Sequence, residues 1–225
     1  MYTYAFFKTP IIPLAALPDG IAGAVQIINS DDLSALVEPG LALEALQEKD
    51  DLLVQAVLAH DRVICELFRQ ATVLPLRFGT SFASLERLLA HLSSHRDEYL
   101  SKLSQVEGKA EYTLKLTPVE LSSEPSSTET ETQGRDYFLA KKRRYQTQLE
   151  RQNQQQAERQ QVMEAIASTY ANLVLGEAQG SVERIYLLCD RQEEPLLQQH
   201  LQGWEALCPQ WQLHLGEALP PYHFV

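Results

Sequence analysis

Long apolar stretches are missing from this sequence. No run approaches the roughly 18 residues that a membrane-spanning helix requires, and the first residues lack the basic segment of a secretory signal. Cysteine is also scarce, with three residues in a chain of 225 and no CxxC spacing. An odd number without that spacing predicts buried, reduced thiols at Cys65, Cys189 and Cys208. We therefore expect a soluble, intracellular protein.

Acidic residues outnumber basic residues in the chain as a whole. Nineteen lysines and arginines stand against thirty aspartates and glutamates, which gives a net charge of −11. This balance argues against nucleic acid or an anionic membrane as the main partner. Hydrophobic residues make up 44% of the 225 residues, which allows a packed core in one large or two small domains.

The clearest helix is predicted in the first half of the chain. Asp50–Gln70 has a wide apolar stripe at helical spacing, formed by Leu53, Val57, His60, Ile64 and Leu67, with Leu52, Ala56, Ala59 and Val63 beside them. Thr72–Thr80 then alternates with period 2, which predicts a strand. Pro75 removes a hydrogen-bond donor, so we expect this strand to be an edge strand or bulged.

Further strands are predicted on both sides of this helix. Ala24–Ile28 and Leu33–Glu38 form a candidate hairpin. Ala110–Leu116 predicts a strand with one buried and one wet face, and Glu111 falls on the wet face. Met1–Phe7 has aromatic residues on both faces, as in a strand buried on both sides, and one of these faces contains Tyr2, Tyr4 and Phe6.

Helix boundaries follow from polar residues and from a long segment without helix breakers. Ser84 is a candidate N-cap for a helix that Ser93 and Ser94 would interrupt. Asp136–Leu175 predicts one helix of up to about 40 residues, or two helices with a hinge.

Residues 118–134 differ in composition from both neighbours. They contain Ser, Thr, Pro and four glutamates but no lysine or arginine, which is typical of a linker or mobile loop. We expect an N-terminal α+β domain at 1–117 and a C-terminal domain at 135–225, with the last strand able to pair back. The expected fold is α+β, with two small domains, at least one of them ferredoxin-like, and a long helical segment between them.

The middle of the long helical segment is basic and rich in glutamine. Lys141–Gln161 contains six basic and two acidic residues and eight glutamines, so it carries +4 in an acidic chain. Few apolar residues are available there for packing. The segment is therefore either a solvated arm or a surface for an acidic partner.

No pattern of side chains predicts a catalytic or cofactor site. His91 and His95 share a helix face but lack a third ligand, so we favour a wet surface over a metal site. His60 lies on an apolar stripe, which favours a buried imidazole hydrogen-bonded to a neighbour. The apolar residues around Cys208 favour a thiol buried in the core over a catalytic thiol. Gly20–Gly23 lacks the Lys and Ser/Thr of a phosphate loop.

Polar and aromatic residues outside the core are candidates for partner contacts. Arg77 can pair with an acid of a flanking helix or bind a partner carboxylate in a bidentate manner. The tail at 220–224 can pack into its own domain or dock on a neighbouring copy. The candidate partner-binding residues are Arg77, Lys141, Lys142, Arg143, Arg144, Tyr222 and Phe224.

Three motifs in order resemble the gas vesicle protein F/L family. They are His60-Asp61 with Val73-Leu74-Pro75-Leu76-Arg77-Phe78-Gly79-Thr80, then Gly134-Arg135-Asp136-Tyr137-Phe138-Leu139 leading into Lys141-Lys142-Arg143, then Pro220-Pro221-Tyr222-His223-Phe224. The resemblance implies two α+β domains and an accessory role in gas vesicles, which give aquatic microbes buoyancy.

The resemblance also implies a partner. We expect a non-enzymatic minor structural or assembly component that binds the hydrophobic major shell protein, with other accessory proteins as further partners and no cofactor. It would be found with gas vesicles and in a soluble cytoplasmic pool. Alternatives are a small-ligand-binding or catalytic protein on paired ferredoxin-like units, and an RNA-binding factor using Lys141–Arg159.

Overall fold

The structure, a computed structural model, describes residues 1–41, 50–119, 135–178 and 180–225. Its strands are β1 (Tyr2–Lys8), β2 (Gln26–Ser30), β3 (Leu33–Glu38), β4 (Val73–Pro75), β5 (Lys109–Pro118), β6 (Leu173–Leu175), β7 (Glu183–Asp190) and β8 (Trp211–Leu215). Its α-helices are α1 (Asp50–Gln70), α2 (Leu85–Ser94), α3 (Arg96–Val106), α4 (Arg135–Thr169) and α5 (Glu194–Leu207). Helices combined with two four-stranded sheets confirm the predicted α+β class.

The chain divides into two compact units that are not continuous in sequence. Unit 1 consists of Met1–Tyr112, Leu188–Arg191 and Glu217–Val225, and unit 2 of Thr113–Leu187 and Gln192–Gly216. Both β5 and β7 therefore contribute residues to each unit. The linker predicted at 118–134 lies outside the described residues, apart from Pro118 and Val119.

The sheet of unit 1 has the strand order β2-β3-β1-β4. β2 and β3 pair antiparallel, which confirms the predicted hairpin, although β2 begins two residues later than expected. β4 pairs with β1 at the sheet's edge, which confirms the edge position argued from Pro75. The strand ends at Pro75 and does not extend to Thr80, because the following residues turn: the Thr80 N–H donates to the Arg77 carbonyl, and Gly79 has a φ of 93°.

A β-bulge in β1 corrects the predicted faces of this strand. The register with β3 shifts between Thr3 and Ala5, and an extra residue reverses the alternation of side chains beyond it. Tyr4 therefore stacks on His60 of α1 with ring centroids 5.2 Å apart. Phe6 belongs instead to the core formed with α2 and α3. The prediction that Tyr2, Tyr4 and Phe6 share one face is wrong.

α1 has the predicted bounds, but its apolar stripe is only partly buried. Its buried residues are Ala56, His60, Val63, Ile64, Leu67 and Phe68. Leu52 and Val57, which we expected to face the sheet, are 38% and 42% exposed. The first two turns therefore carry apolar residues that the described part of unit 1 leaves exposed.

α2 and α3 follow the boundaries read from the sequence. The Ser84 hydroxyl accepts the Arg87 N–H at 3.3 Å, which confirms the N-cap. α2 ends at Ser94, and α3 begins at Arg96. Both helices pack against the sheet through Leu88, Leu92, Leu103 and Val106.

The second sheet has the order β6-β7-β5-β8, and its strands alternate with α4 and α5 as β-α-β-β-α-β. This connectivity is that of a ferredoxin-like unit. α4 is one continuous helix of 35 residues that lies within unit 2. It ends at Thr169, whereas we expected helix up to Leu175. Leu173–Leu175 instead pairs antiparallel with β7, so pairing with a later segment overrides the local helical pattern.

Within the described residues, no helix is both long enough and apolar enough to cross a membrane.

Candidate interaction surfaces

Arg77 lies in the turn after β4, which we call the Arg77 turn (residues 76–80). The Leu76 N–H donates to the Tyr4 carbonyl at 2.9 Å, and Nε2 of His60 lies 3.0 Å from the Leu76 carbonyl oxygen. Nδ1 of His60 lies 2.7 Å from the Tyr2 hydroxyl oxygen. Since a carbonyl only accepts, Nε2 carries the proton and Nδ1 accepts from Tyr2. The predicted hydrogen-bonded, buried His60 is confirmed.

Burial fixes the protonation states of this chain of hydrogen bonds. It lowers the pKa of His60, so that the imidazole stays neutral. It also raises the pKa of Tyr2 to about 12, so that the phenol keeps its proton. The Tyr2 oxygen accepts the Gly79 N–H at 3.4 Å. The two ends of the Arg77 turn are therefore held through one tyrosine and one histidine.

The Arg77 side chain is exposed, while its backbone is fixed. The backbone carbonyl of Arg77 accepts hydrogen bonds from the Thr80 N–H at 3.1 Å and from the Thr80 hydroxyl at 2.7 Å. Arg77 forms no ion pair with any described residue, so the alternative in which it pairs with an acid of a flanking helix is not seen in the described ranges. A guanidinium held this way suits bidentate binding of a partner carboxylate, because its backbone loses no further freedom.

The C-terminal tail, residues 217–225, folds back within unit 1, as the intramolecular alternative predicted. Leu219 and Glu111 exchange backbone hydrogen bonds at 2.9 Å. The Glu111 carboxylate accepts the His223 N–H at 2.8 Å and lies 2.7 Å from Nδ1 of His223. The Tyr222 hydroxyl donates to Asp61 at 2.5 Å. One polar atom of the candidate residue Tyr222 is thus already bound inside the unit.

The burial of Glu111 contradicts the prediction that its face of β5 is exposed to water. Its side chain is 1% exposed, although the alternation of β5 placed it toward water. The C-terminal tail covers it and supplies its hydrogen bonds. No local signal identifies this burial, because the covering residues lie more than 100 positions away.

The four predicted basic residues Lys141–Arg144 lie near the start of α4 and are exposed. Among them lie exposed apolar side chains, with Phe138 exposed by 68%, Tyr145 by 69% and Leu149 by 46%. α4 becomes buried further along, at Glu158, Val162 and Ile166. Residues 141–154 are exposed, which fits both alternatives drawn from the sequence, a solvated arm and a surface for an acidic partner. The structure adds that the segment is a regular helix up to the packed part.

A second exposed apolar surface lies on α1 and was missed in the sequence. We call it the α1 patch, defined by Val54, Val57 and Leu58. Their exposures are 58%, 42% and 63%. The signal was present, because Leu52–Leu58 is apolar at nearly every position, and a helix that is apolar all round needs cover on every side.

Gly20–Gly23 binds a carboxylate of the protein itself. The backbone N–H groups of Ile21 and Ala22 donate to Glu38 at 2.7 and 2.8 Å, and the Tyr4 hydroxyl donates to the same carboxylate. A Cβ atom on Gly20 would lie 2.2 Å from Glu38 Oε2, so only glycine fits. Glu38 is 2% exposed, and its partners make this loop a structural element.

The histidine pair and the candidate thiol also have structural partners. Nε2 of His91 lies 2.7 Å from the Tyr99 hydroxyl, and Nδ1 of His95 lies 3.0 Å from the His91 carbonyl oxygen. Within the described ranges, no three His, Cys, Asp or Glu residues are grouped as for a metal ion. Cys208 is buried and donates to the Trp204 carbonyl at 3.1 Å, and burial raises its pKa to about 11. The predicted core thiol is confirmed.

Comparison with known proteins gives a match over the whole chain. Residues 1–225 match the family model described as "Gas vesicle synthesis protein GvpL/GvpF". Gas vesicle protein F1 of Halobacterium salinarum is 30% identical over 121 residues, which cover 52% of this chain and 54% of the relative. Gas vesicle protein F of a Streptomyces species is 31% identical over 108 residues, which cover 45% and 43%. These alignments span about half the length of each curated relative or less.

Solved structures show the same fold at low sequence identity. The crystal structure of gas vesicle protein GvpF from Microcystis aeruginosa aligns with a TM-score of 0.67 and 16% identity, covering 99% of this chain and 97% of the other. The crystal structure of GvpF from Anabaena sp. PCC7120 aligns with a TM-score of 0.69 and 15% identity, covering 99% and 94%.

Proposed function

The chain belongs to the GvpL/GvpF family of gas vesicle synthesis proteins, and from this premise we propose that it binds the hydrophobic major shell protein during gas vesicle formation. In this role it is a non-enzymatic minor structural or assembly component. It shields apolar surface of the shell subunit until the subunit joins the vesicle wall. The family match over all 225 residues is the observation that carries the proposal.

The α1 patch supports this role physically. Exposed apolar surface on a folded unit commonly marks a binding site, because leaving it in water is unfavourable. A hydrophobic shell subunit needs such a surface to cover its own apolar side chains. The net charge of −11 would keep the resulting complex dispersed.

Two features of unit 1 supply polar and aromatic contacts in this proposal. Arg77 offers a guanidinium on a fixed turn, which would bind a carboxylate of the partner and set its orientation. Tyr222 and Phe224 are partly buried in the C-terminal tail. The exposed part of each side chain would add aromatic contact area.

Co-purification with the major shell protein tests the proposal. The tagged full chain is co-expressed with the shell protein, and the retained shell protein is quantified against the bait. We expect retention by the wild type and at least a fivefold loss for Val54→Gln/Leu58→Gln, because two polar amides replace apolar contact area. Glu66→Gln/Arg69→Gln changes two solvent-accessible residues at the other end of the same helix and serves as the control.

The two parts of the proposal fail in different ways. If the wild type does not retain the shell protein, and vesicles form normally in cells without this chain, the proposed function is wrong. If the wild type retains the shell protein and the Val54→Gln/Leu58→Gln variant retains it equally, the function stands and the α1 patch is not the contact surface.

A further inference from the structure

The exposed half of α4 carries an apolar stripe, which we call the α4 stripe and define by Phe138, Tyr145 and Leu149. With 3.6 residues per turn, these three positions fall within a sector of about 40°. Their separations of 7 and 4 residues are those of a helix–helix seam. Each of the three is at least 46% exposed. The three side chains therefore lie along one line of a regular helix over about 17 Å, with Lys141 and Lys142 on the turn between Phe138 and Tyr145.

The α4 stripe is not a continuation of the face by which α4 packs in unit 2. The packed face contains Glu158, Val162 and Ile166, which are all buried. By the same helical geometry, the centre of that face lies about 120° around the helix from the stripe. A stripe that merely extended the packing face would lie in line with it. This rotation marks the stripe as a separate contact surface.

Lysines border the stripe, whereas the adjacent arginines do not. Lys141 and Lys142 fall about 60° and 40° from Phe138, on opposite sides of the stripe. Arg143 and Arg144 fall about 120° to 140° away, on the far side of the helix. All four side chains are exposed. Of these four side chains, only those of the two lysines can pair with charges of a helix that lies on the stripe.

We propose that the α4 stripe binds an acidic amphipathic helix of a protein partner. Helical spacing of the apolar residues favours a helix as the occupant, and the flanking lysines favour acidic residues beside its apolar seam. A second copy of this surface is disfavoured, because lysines would then meet lysines. RNA is disfavoured by the acidity of the chain as a whole.

A pair of labelled model peptides tests this inference on the full chain. Both peptides are 21 residues long with leucine at heptad positions a and d, and positions e and g carry glutamate in one and lysine in the other. Binding is measured by fluorescence anisotropy at low and physiological salt. We expect the acidic peptide to bind the wild type at least tenfold more tightly than the basic peptide.

Paired substitutions on α4 distinguish binding at the α4 stripe from an effect of net charge alone. Lys141→Glu/Lys142→Glu should weaken acidic-peptide binding at least tenfold, and Tyr145→Gln/Leu149→Gln should weaken it by a similar factor. Arg143→Glu/Arg144→Glu makes the same change of charge on the far side and should change binding less than threefold. Circular dichroism and thermal unfolding check that each variant remains folded.

Three outcomes would overturn the inference. Equal losses from the lysine and arginine pairs would mean that only net charge matters. Equal binding of the two peptides would remove the preference for an acidic partner. Binding of a labelled 12-nucleotide RNA, lost in Lys141→Glu/Lys142→Glu while neither peptide binds, would assign the surface to nucleic acid. The shell protein is absent from these assays, so their failure leaves the proposed function untouched.

Discussion

The Tyr2 hydroxyl links three elements that are far apart in sequence. It accepts the Gly79 N–H and donates to His60 of α1, which in turn holds the Leu76 carbonyl. Because the Tyr2–His60 hydrogen bond is buried, Nδ1 of His60 needs its partner inside the protein. One hydroxyl thus determines how rigidly Arg77 is presented.

Tyr2→Phe should therefore destabilise the protein although it removes only one oxygen atom. The change leaves the buried Nδ1 of His60 without its donor, which costs about 1–3 kcal/mol in the free energy of unfolding. Urea denaturation measures this difference. Tyr145→Phe removes an exposed hydroxyl and should change the free energy of unfolding by less than about 0.5 kcal/mol. Equal effects of both substitutions would show that the Tyr2 hydrogen bonds contribute nothing.

At the scale of elements, the C-terminal tail acts as a cover for β5. Its backbone pairs with Glu111, and its His223 supplies two hydrogen bonds to the buried carboxylate. Tyr222 adds a bond to Asp61 of α1. The tail thereby joins a strand and a helix of unit 1 through side chains of both.

Removal of residues 222–225 should destabilise the protein by about 2 kcal/mol, because Glu111 loses its charge-assisted hydrogen bonds and Asp61 loses Tyr222. Thermal or urea unfolding measures the loss. A chain that lacks only Val225 keeps all of these bonds and should unfold like the wild type. Identical stability of the longer truncation and this control would contradict a structural role for the tail.

α4 combines two different roles along one element. Its C-terminal part is held by burial at Val162 and Ile166, while residues 141–154 are exposed throughout. Glutamine, arginine and lysine are good helix formers, which helps the exposed part remain helical. A helix that extends beyond its packed part can present a binding surface.

At the scale of the whole molecule, the proposed function predicts where the protein is found in the cell. We expect two pools in fractionated cells, one on washed gas vesicles and one in the vesicle-free supernatant, bound to shell protein. An assembly component must meet the shell subunit before the wall forms, so the second pool follows from the proposed function. Immunoblotting of both fractions checks this, with the shell protein as the vesicle marker. A chain found in neither fraction together with shell protein would contradict the proposal.

The spacing of residues along the chain was sufficient to predict several features of this protein. The bounds of α1, the N-cap at Ser84, the hairpin of β2 and β3, and the core position of Cys208 all follow from residues close together in sequence. Periodicity and capping are properties of a few successive residues, so no tertiary information is needed to see them. The motifs that resemble the gas vesicle family are equally local.

Only the tertiary structure decided which of these residues are covered. The bulge in β1 separates Phe6 from Tyr4, the tail buries Glu111, and the first turns of α1 leave Val54 and Leu58 exposed. Strand pairing also ended α4 at Thr169. Each result depends on a segment distant in sequence, because burial is set by the element that packs over a residue and not by its neighbours along the chain.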